Sequence, residues 1–298
     1  MINDHKVVVC LQASNLIEGH YYPLSKVCVE SISSFDFVDE IMMMDCYSTD
    51  ETISFHENIP KVFFYHNEVW KNKKNDELLV DPDPWWSNQN DFFRIRTEDA
   101  LSGNKSILIT CQIDDFWPEE FGKELEQTLH TMVDNKLDGF SLPWTKVYTK
   151  DYAETTGLRH QVDRAKICQF GIYRYDIDDD CVWHRFETNE SGMEIHGMRS
   201  FKLLVRNFKN TALQYDNWFF TKDRFMDKVQ NHCEWSDLNI MSPESAFETK
   251  MFTKAKIYGT KLVDQSYHPP KIVKMIDTHL NKNHLGWNFF GVLAPPGK

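Results

Sequence analysis

The chain lacks any long uninterrupted apolar run. Its clearest apolar stretches, KVVVCL at Lys6–Leu11 and EIMMM at Glu40–Met44, are far shorter than a membrane span, which needs about 20 predominantly apolar residues. The amino-terminal residues are polar and lead directly into the first stretch, without the charged, apolar and small-residue order of a secretory signal. We therefore expect a soluble protein of the cytoplasm with no membrane span.

The seven cysteines form no recognisable framework. Their number is odd, their spacing is scattered and no C-x-x-C pair occurs. Small secreted domains pair their cysteines at regular spacings, and zinc sites usually contain closely spaced pairs. This pattern disfavours a disulfide scaffold and a structural zinc site, and it fits a reducing compartment.

An excess of positive charge is also missing. The 298 residues contain 33 Lys and Arg against 45 Asp and Glu, a formal net charge of -12. Proteins that bind nucleic acid or anionic membranes over a broad surface need a basic face. The composition therefore disfavours both classes, although it leaves room for a segregated basic groove.

The first 120 residues alternate between apolar runs and helical patterns. Continuous β-branched or apolar runs are typical of strands buried on both faces of a parallel sheet. The predicted strands are Lys6–Leu11, Glu40–Met44, Lys61–Tyr65 and Ser106–Cys111. The predicted helices are Tyr22–Ser34, one that starts within Cys46–Thr52 with Ser48 or Thr49 as its cap and Glu51 or Thr52 in its first turn, and Asn88–Leu101. This alternation predicts an α/β fold with a mostly parallel central sheet flanked by helices.

The second half of the chain follows a different pattern. Glu119–Asn135 and Lys271–Leu280 have helical periodicity, whereas Gly139–Tyr148 is predicted to be a strand interrupted by a proline. We expect one domain made of a nucleotide-binding half, residues 1–118, and a mixed α+β acceptor-side half with a carboxyl-terminal extension, residues 119–298.

Polar residues follow three of the predicted strands. Gln12, Asp45 and the pair Gln112 and Asp114 each stand where a buried strand ends. The carboxyl ends of parallel strands meet at one edge of a sheet, where open α/β folds bind their ligands. Adjacent carboxylates such as Asp114 and Asp115 can hold a hard divalent cation, with diphosphate oxygens completing its shell. The alternative is that these residues are ordinary turn and cap residues.

These residues resemble a known family. The order is an apolar strand, then Asp45-Cys-Tyr-Ser48-Thr49-Asp50-Glu-Thr52 after a second strand, then Gln112-Ile113-Asp114-Asp115 after another. It is similar to family 2 glycosyltransferases of the GT-A fold, whose pattern is D-x-x-S-T-D-x-T followed by D-x-D. The resemblance covers residues 6–120, and it implies transfer of a sugar from a nucleotide-sugar donor.

The resemblance also implies roles for individual residues. Asp45 would contact the nucleotide base, Asp114 would bind a divalent metal, Mn²⁺ or Mg²⁺, that bridges the donor diphosphate, and Asp115 would contact the donor sugar or assist the metal. The residues expected to line the donor pocket are Gln12, Ala13, Asp45, Ser48, Gln112 and Ile113.

The chain departs from the family pattern at two places. Gln112 replaces the first acid of D-x-D, so it contributes no charge to a cation. No His precedes the late aromatic segment, where Asp216 is the candidate substitute ligand or base. The family's E-D base motif is not evident. The other candidate bases are Asp176, Asp178, Asp179, Asp180, Glu187, Glu194 and His196.

We therefore expect a metal-assisted, inverting glycosyltransferase with a UDP-sugar donor. The acceptor is either a glycan or, as in related transferases of tailed phages, a hydroxymethylated base in phage DNA, in which case the protein would act in the host cytoplasm. A nucleotide-sugar-binding module with weak or no catalysis is the alternative that Gln112 supports. A nucleotidyltransferase is disfavoured because the segment after the first strand, Gln12–Gly19, contains a single glycine.

Overall fold

The computed structural model describes residues 1–13, 16, 22–45, 48–66, 103–154, 171–176, 185–189, 192–196, 208–215, 218–225 and 260–287. The helices are α1 (Tyr22–Ser33), α2 (Thr52–His56), α3 (Glu119–Asp134) and α4 (Pro270–His279). The strands are β1 (Lys6–Ala13), β2 (Glu40–Asp45), β3 (Val62–His66), β4 (Ser106–Thr110), β5 (Asp115–Phe116), β6 (Gly139–Phe140), β7 (Trp144–Thr149), β8 (Tyr152–Glu154), β9 (Gly171–Tyr175), β10 (Arg185–Asn189), β11 (Gly192–His196), β12 (Ala212–Gln214) and β13 (Thr260–Leu262).

A six-stranded sheet with the order β3-β2-β1-β4-β9-β6 lies at the centre. Strands β3, β2, β1 and β4 are parallel neighbours, whereas β9 runs antiparallel to both β4 and β6. The central strands are buried along almost their whole length, as their continuous apolar sequences predict. The predicted α/β architecture with a mostly parallel central sheet is confirmed.

A second sheet has five strands in the order β13-β8-β7-β12-β5, most of which come from the second half of the chain. It shares no strand with the central sheet, and its β5 follows β4 after only four residues. The carboxyl end of β4 therefore leads straight from one sheet into the other.

Two details of the predicted elements are wrong. The predicted strand Gly139–Tyr148 is divided into β6 in the central sheet and β7 in the second sheet. Pro143 lies between them, has no N–H to donate to a ladder, and uses its carbonyl to accept from Ala212 N at 3.0 Å. Helix α2 begins at Thr52 after Glu51, with no side-chain cap, rather than after Ser48 or Thr49. The predicted helix Asn88–Leu101 lies outside the described residues.

Two apolar clusters hold the layers together. The first packs α3 and part of α1 under the central sheet, and the second joins α1, α4 and one face of the second sheet. Phe116, the last residue of β5, belongs to the second cluster, and the next residue, Trp117, belongs to the first. The short loop between β4 and β5 is thus anchored in both.

Trp117 also ties this region to α1. Its backbone N–H donates to Ser31 Oγ at 3.0 Å, and its ring lies 6.1 Å from that of Phe35 and 5.7 Å from that of Phe121 on α3.

In the part of the chain that the structure describes, no helix has the length and apolar character that a membrane crossing requires.

Gly122 provides a test of the packing between α3 and α1. A Cβ at this position would lie 1.9 Å from Phe35 Cε1, so we expect Gly122→Ala to lower the free energy of unfolding by about 1–3 kcal/mol. Helix propensity alone predicts the opposite, a gain of roughly 1 kcal/mol. Chemical denaturation decides between them. Lys123→Ala, one residue along on the exposed face of α3, should change stability by less than about 0.5 kcal/mol.

Candidate functional site

The carboxyl ends of β2, β1 and β4 are brought together by the strand register. Ala13 at the end of β1 pairs with Asp45 at the end of β2, and Cys10 of β1 pairs with Thr110 at the end of β4. Neighbouring strands lie about 4.8 Å apart. The two polar motifs therefore stand on the two sides of β1, with about 10 Å between the strands that lead into them.

The topology of the sheet changes direction between β1 and β4. From β1 the chain proceeds outward through β2 to β3, and it then returns to place β4 on the other side of β1. Such a switch point leaves a crevice outside the carboxyl ends of the two strands, where α/β proteins bind ligands. Gln12, which is half-buried near the end of β1, and Gln112, which is half-buried after β4, flank this crevice.

Hydrogen bonds within the loop between β4 and β5 fix its shape. Asp115 N donates to Gln112 O at 3.2 Å, and Gln112 N donates to Asp115 Oδ2 at 2.9 Å. One carboxylate oxygen of Asp115 thus closes the loop in which Ile113 and Asp114 are the central residues. Its predicted contact with the sugar or the metal stays a prediction.

Asp114 is held from the second sheet. Its carbonyl accepts from Tyr215 N at 3.2 Å, and its side chain is almost covered, with 3% of the residue exposed. Asp115 is 1% exposed and pairs with Gln214 of β12.

Asp45 lies in a second hydrogen-bonded turn. Both of its carboxylate oxygens lie within reach of Ser48 N, at 3.2 and 3.1 Å, and the residue is 1% exposed. Ser48 is half-buried and Ala13 is buried. The structure therefore brings Asp45, Ser48 and Ala13 together at one side of the crevice.

Asp50 and Thr52, the last two defined positions of the D-x-x-S-T-D-x-T motif, connect to Leu16, which follows β1. Thr52 is fully buried, and its hydroxyl accepts from Leu16 N at 2.8 Å while donating to Asp50. Asp50 also accepts from Thr52 N at 2.9 Å. Asp50 and Thr52 thus connect the first-strand loop to the start of α2, which is a structural role for the D-x-T part of the motif.

A buried histidine extends this network to α1. His56 Nδ1 lies 2.8 Å from Thr52 O, and its Nε2 lies 3.0 Å from Ser25 Oγ. A carbonyl can only accept, so Nδ1 carries the proton and Ser25 donates to Nε2. Burial lowers the pKa of His56, which keeps the ring in this neutral form near pH 7.

Two thiols lie close to the loop between β4 and β5 with its residues Asp114 and Asp115, which we call the acidic loop. Burial raises the pKa of Cys28 on α1 well above its ordinary value, and the charges of Asp114 and Asp115 raise that pKa further. Burial, and then the charge of Asp115, also raise the pKa of Cys111 well above its ordinary value. Both thiols therefore stay protonated and are poor metal ligands. The donors at this edge of the sheet are hard oxygens.

These oxygens fit a cation such as Mn²⁺ or Mg²⁺ that receives part of its shell from a ligand. The described residues contain no group of three or more His, Cys, Asp and Glu side chains that could hold a metal ion. Asp114 would supply a carboxylate to such a cation and Gln112 a neutral amide oxygen. Mg²⁺ is commonly bound by one or two carboxylates together with substrate phosphates, so the donor set suits a metal bound with a diphosphate.

The structure separates one candidate base from the site. Asp176 follows β9 next to Tyr175, which pairs with Ser106 at the amino end of β4, so it lies at the opposite edge of the sheet. Its carboxylate is 3.2 Å from His5 Nε2 and 3.4 Å from Lys105 Nζ. These ion pairs give it a structural role.

The structure tests none of the other candidate bases. Asp178, Asp179, Asp180 and Asp216 lie outside the described residues. Glu187, Glu194 and His196 belong to the hairpin of β10 and β11, a separate two-stranded sheet, for which the structure describes the backbone.

Sequence reasoning missed three residues that support the site. Ser31 and Cys28 belong to the helix predicted from its periodicity, but periodicity does not say what a helix packs against. Tyr215 lies about 100 residues from Asp114 in the chain, and no local pattern indicates their contact. The signal for Asp50 and Thr52 was present in the motif itself.

Comparison with known proteins gives distant structural likenesses alone. No protein-family model matches the chain, and no curated protein matches it. Among solved structures, TarS of S. aureus (residues 1-349) matches with a TM-score of 0.41 at 12% identity, over 77% of this chain and 65% of that one. The chain spans 42% of a longer TarS structure.

Two further structures have similar or lower scores. A mannosyltransferase from Pyrobaculum calidifontis, solved with GDP-Man and Mn²⁺, has a TM-score of 0.40 at 12% identity over 91% of this chain and 79% of that one. The 4-diphosphocytidyl-2C-methyl-D-erythritol synthase of Anaerococcus prevotii has a TM-score of 0.30 at 13% identity over 58% and 71%. All of these TM-scores are below 0.5, so none of the likenesses supports an argument about this chain's function.

The Thr52 hydroxyl should be required for the stability of the first-strand loop. Thr52→Val keeps the shape of the side chain but leaves the buried Leu16 N–H without its acceptor, which typically costs about 1–3 kcal/mol. Chemical denaturation should show this loss. Thr128→Val on α3 is the matched control, because Thr128 Oγ1 only donates to Glu124 O within its own helix. Equal losses in the two variants would contradict the role of Thr52.

His56 makes stability depend on pH. Its pKa is lowered in the folded state, so the unfolded chain binds more protons when the pH falls below about 6.5. The free energy of unfolding should therefore decrease as the pH is lowered from about 7.5 to about 5.5. His56→Gln should weaken this dependence in denaturation curves measured across the range. An unchanged slope would show that His56 is not responsible.

Proposed function

We propose that this protein is a metal-assisted glycosyltransferase that moves a sugar from a nucleotide-sugar donor, a UDP-sugar, to an acceptor hydroxyl with inversion. The observation that carries the proposal is the position of two motifs. The D-x-x-S-T-D-x-T sequence after β2 and the Q-I-D-D sequence after β4 stand on either side of β1, at the switch point of a parallel sheet. The resemblance of these motifs to family 2 glycosyltransferases supplies the reaction class.

The nucleoside is assigned to the β1–β2 side of the crevice. Asp45 would accept a hydrogen bond from the base, while its turn with Ser48 holds the carboxylate in place. Gln12 and Ala13 would line the pocket from the end of β1. The Thr52 hydroxyl accepts from the N–H of Leu16, which follows them in the chain.

The diphosphate is assigned to the β4 side. Asp114 would hold the divalent cation, and Gln112 and Ile113 would line the donor site beside it. When bound, the cation neutralises charge that develops on the leaving diphosphate. Gln112 contributes no charge, so we expect weak metal binding by the free protein and tighter binding once a diphosphate is present.

The acceptor side depends on a base that removes a proton from the attacking hydroxyl. A positioned carboxylate or histidine typically contributes about 10²–10⁴-fold. Asp115 and Asp216 are the candidates that we propose. Asp115 is at the site already, with one oxygen bonded to the loop backbone, and Asp216 directly follows Tyr215, whose backbone contacts the same loop.

The acceptor is either a glycan or a hydroxymethylated base in phage DNA. The net charge of -12 favours the glycan, because DNA binding over a broad surface requires a basic face.

A nucleotide-sugar-binding module with little or no catalysis is the second candidate. Gln112 favours it, since the protein then offers the cation fewer charges than the D-x-D pattern does. This candidate predicts donor binding without release of UDP from a UDP-sugar.

Asp114→Ala tests the assignment. Mn²⁺-dependent release of nucleoside diphosphate from UDP-glucose, UDP-GlcNAc or GDP-mannose should fall by at least about 100-fold. The hydrogen bond from Tyr215 N to Asp114 O does not depend on the Asp114 side chain, and circular dichroism checks that the fold is retained. Asp277→Ala, an exposed position on α4, is the matched control and should retain activity.

Full turnover in folded Asp114→Ala would contradict the metal assignment. If the unaltered protein binds these donors with Mn²⁺ but releases no diphosphate, the binding-module candidate is correct instead.

A further inference from the structure

Tyr215 lies at the junction between the acidic loop and the second sheet. It directly follows β12, is fully buried and donates its backbone N–H to Asp114 O at 3.2 Å. The preceding residue, Gln214, pairs with Asp115 in the antiparallel ladder of β12 and β5. The end of β12 therefore donates a main-chain hydrogen bond to Asp114 and lies beside Asp115 in the ladder.

Aromatic packing fixes the side chain of Tyr215. The Trp218 ring meets the Tyr215 ring edge to face, with centroids 4.8 Å apart. Its hydroxyl lies 3.4 Å from His268 Nδ1, and His268 Nε2 lies 2.9 Å from Lys150 O. Because the Lys150 carbonyl can only accept, His268 carries its proton on Nε2, and Tyr215 is the donor in the long bond to Nδ1.

Trp218 is held in turn by the carboxyl-terminal region. Its indole N–H donates to Val147 O at 2.7 Å, and its carbonyl accepts from Gly286 N at 2.9 Å. A Cβ on Gly286 would lie 2.6 Å from Trp218 Cδ2, so only glycine fits without moving the indole. A series of contacts therefore links Gly286 to Trp218, Trp218 to Tyr215, and Tyr215 to the backbone of Asp114.

We propose that Tyr215 is a positioning residue for Asp114, which rests on the proposed role of Asp114 as the metal ligand. The Tyr215 amide fixes the Asp114 carbonyl, and with it the backbone that carries the carboxylate. The ring of Tyr215, clamped against Trp218, holds that amide in place. Tyr215 itself does not contact the donor or the metal.

Metal affinity, measured apart from catalysis, tests this role. The probe is Mn²⁺ in the presence of saturating UDP, with free Mn²⁺ followed by electron paramagnetic resonance. Tyr215→Leu removes the ring and should raise the dissociation constant of Mn²⁺ about tenfold, the lower end of the effect of losing a supporting contact to a ligand. Tyr215→Phe keeps the ring and should restore most of the affinity.

Tyr267→Leu is the matched control. Tyr267 is a partly buried neighbour of His268 and lies outside the series of contacts from Gly286 through Trp218 and Tyr215 to Asp114, so its loss should leave the Mn²⁺ dissociation constant within about twofold. The affinity for UDP without metal should be unchanged in every variant, because the β1–β2 side of the crevice is not altered.

Gly286→Ala gives a second route if Tyr215→Leu does not fold. It displaces Trp218 while leaving Tyr215 whole, and it should also raise the Mn²⁺ dissociation constant. An unchanged constant in a folded Tyr215→Leu or Gly286→Ala protein would overturn the positioning role. Absence of UDP-dependent Mn²⁺ binding in the unaltered protein would instead defeat the proposed function, and the positioning role with it.

Discussion

The parallel pairing of β1 with β2 on one side and β4 on the other is the constraint on which the site depends. Its register aligns Ala13 with Asp45 and brings the loop after Thr110 to the same edge of the sheet. In sequence the two motifs are about 60 residues apart, and neither has chemical meaning alone. The pairing of the apolar strands brings the two motifs close in space, where they form two neighbouring turns on either side of one crevice.

Each of those turns is shaped by a carboxylate that bonds to its own backbone. Asp45 accepts from Ser48 N and Asp115 accepts from Gln112 N, three residues away in each case. Asp114 is held from the second sheet, because its carbonyl accepts from Tyr215 N. Support for the site therefore comes from that sheet as well.

The sequence predicts the strands that lead into the crevice well and the long-range contacts that support them poorly. Continuous apolar runs mark β1, β2 and β4, and polar residues at their ends follow from the geometry of parallel strands. The contacts of Ser31 with Trp117 and of Tyr215 with Asp114 join distant parts of the chain and leave no local pattern. The strand predicted across Pro143 fails for a local reason, since that residue cannot continue a ladder and the chain passes from one sheet to the other there.

The central claim is that a cation bound with a diphosphate sits against Asp114. Anomalous scattering from crystals of the protein soaked with UDP and Mn²⁺ tests it most directly. We expect a manganese peak within about 2–2.5 Å of an Asp114 carboxylate oxygen, with the uracil on the Asp45 side of β1. A peak bound elsewhere, or UDP bound in the crevice with no manganese beside Asp114, would contradict the account.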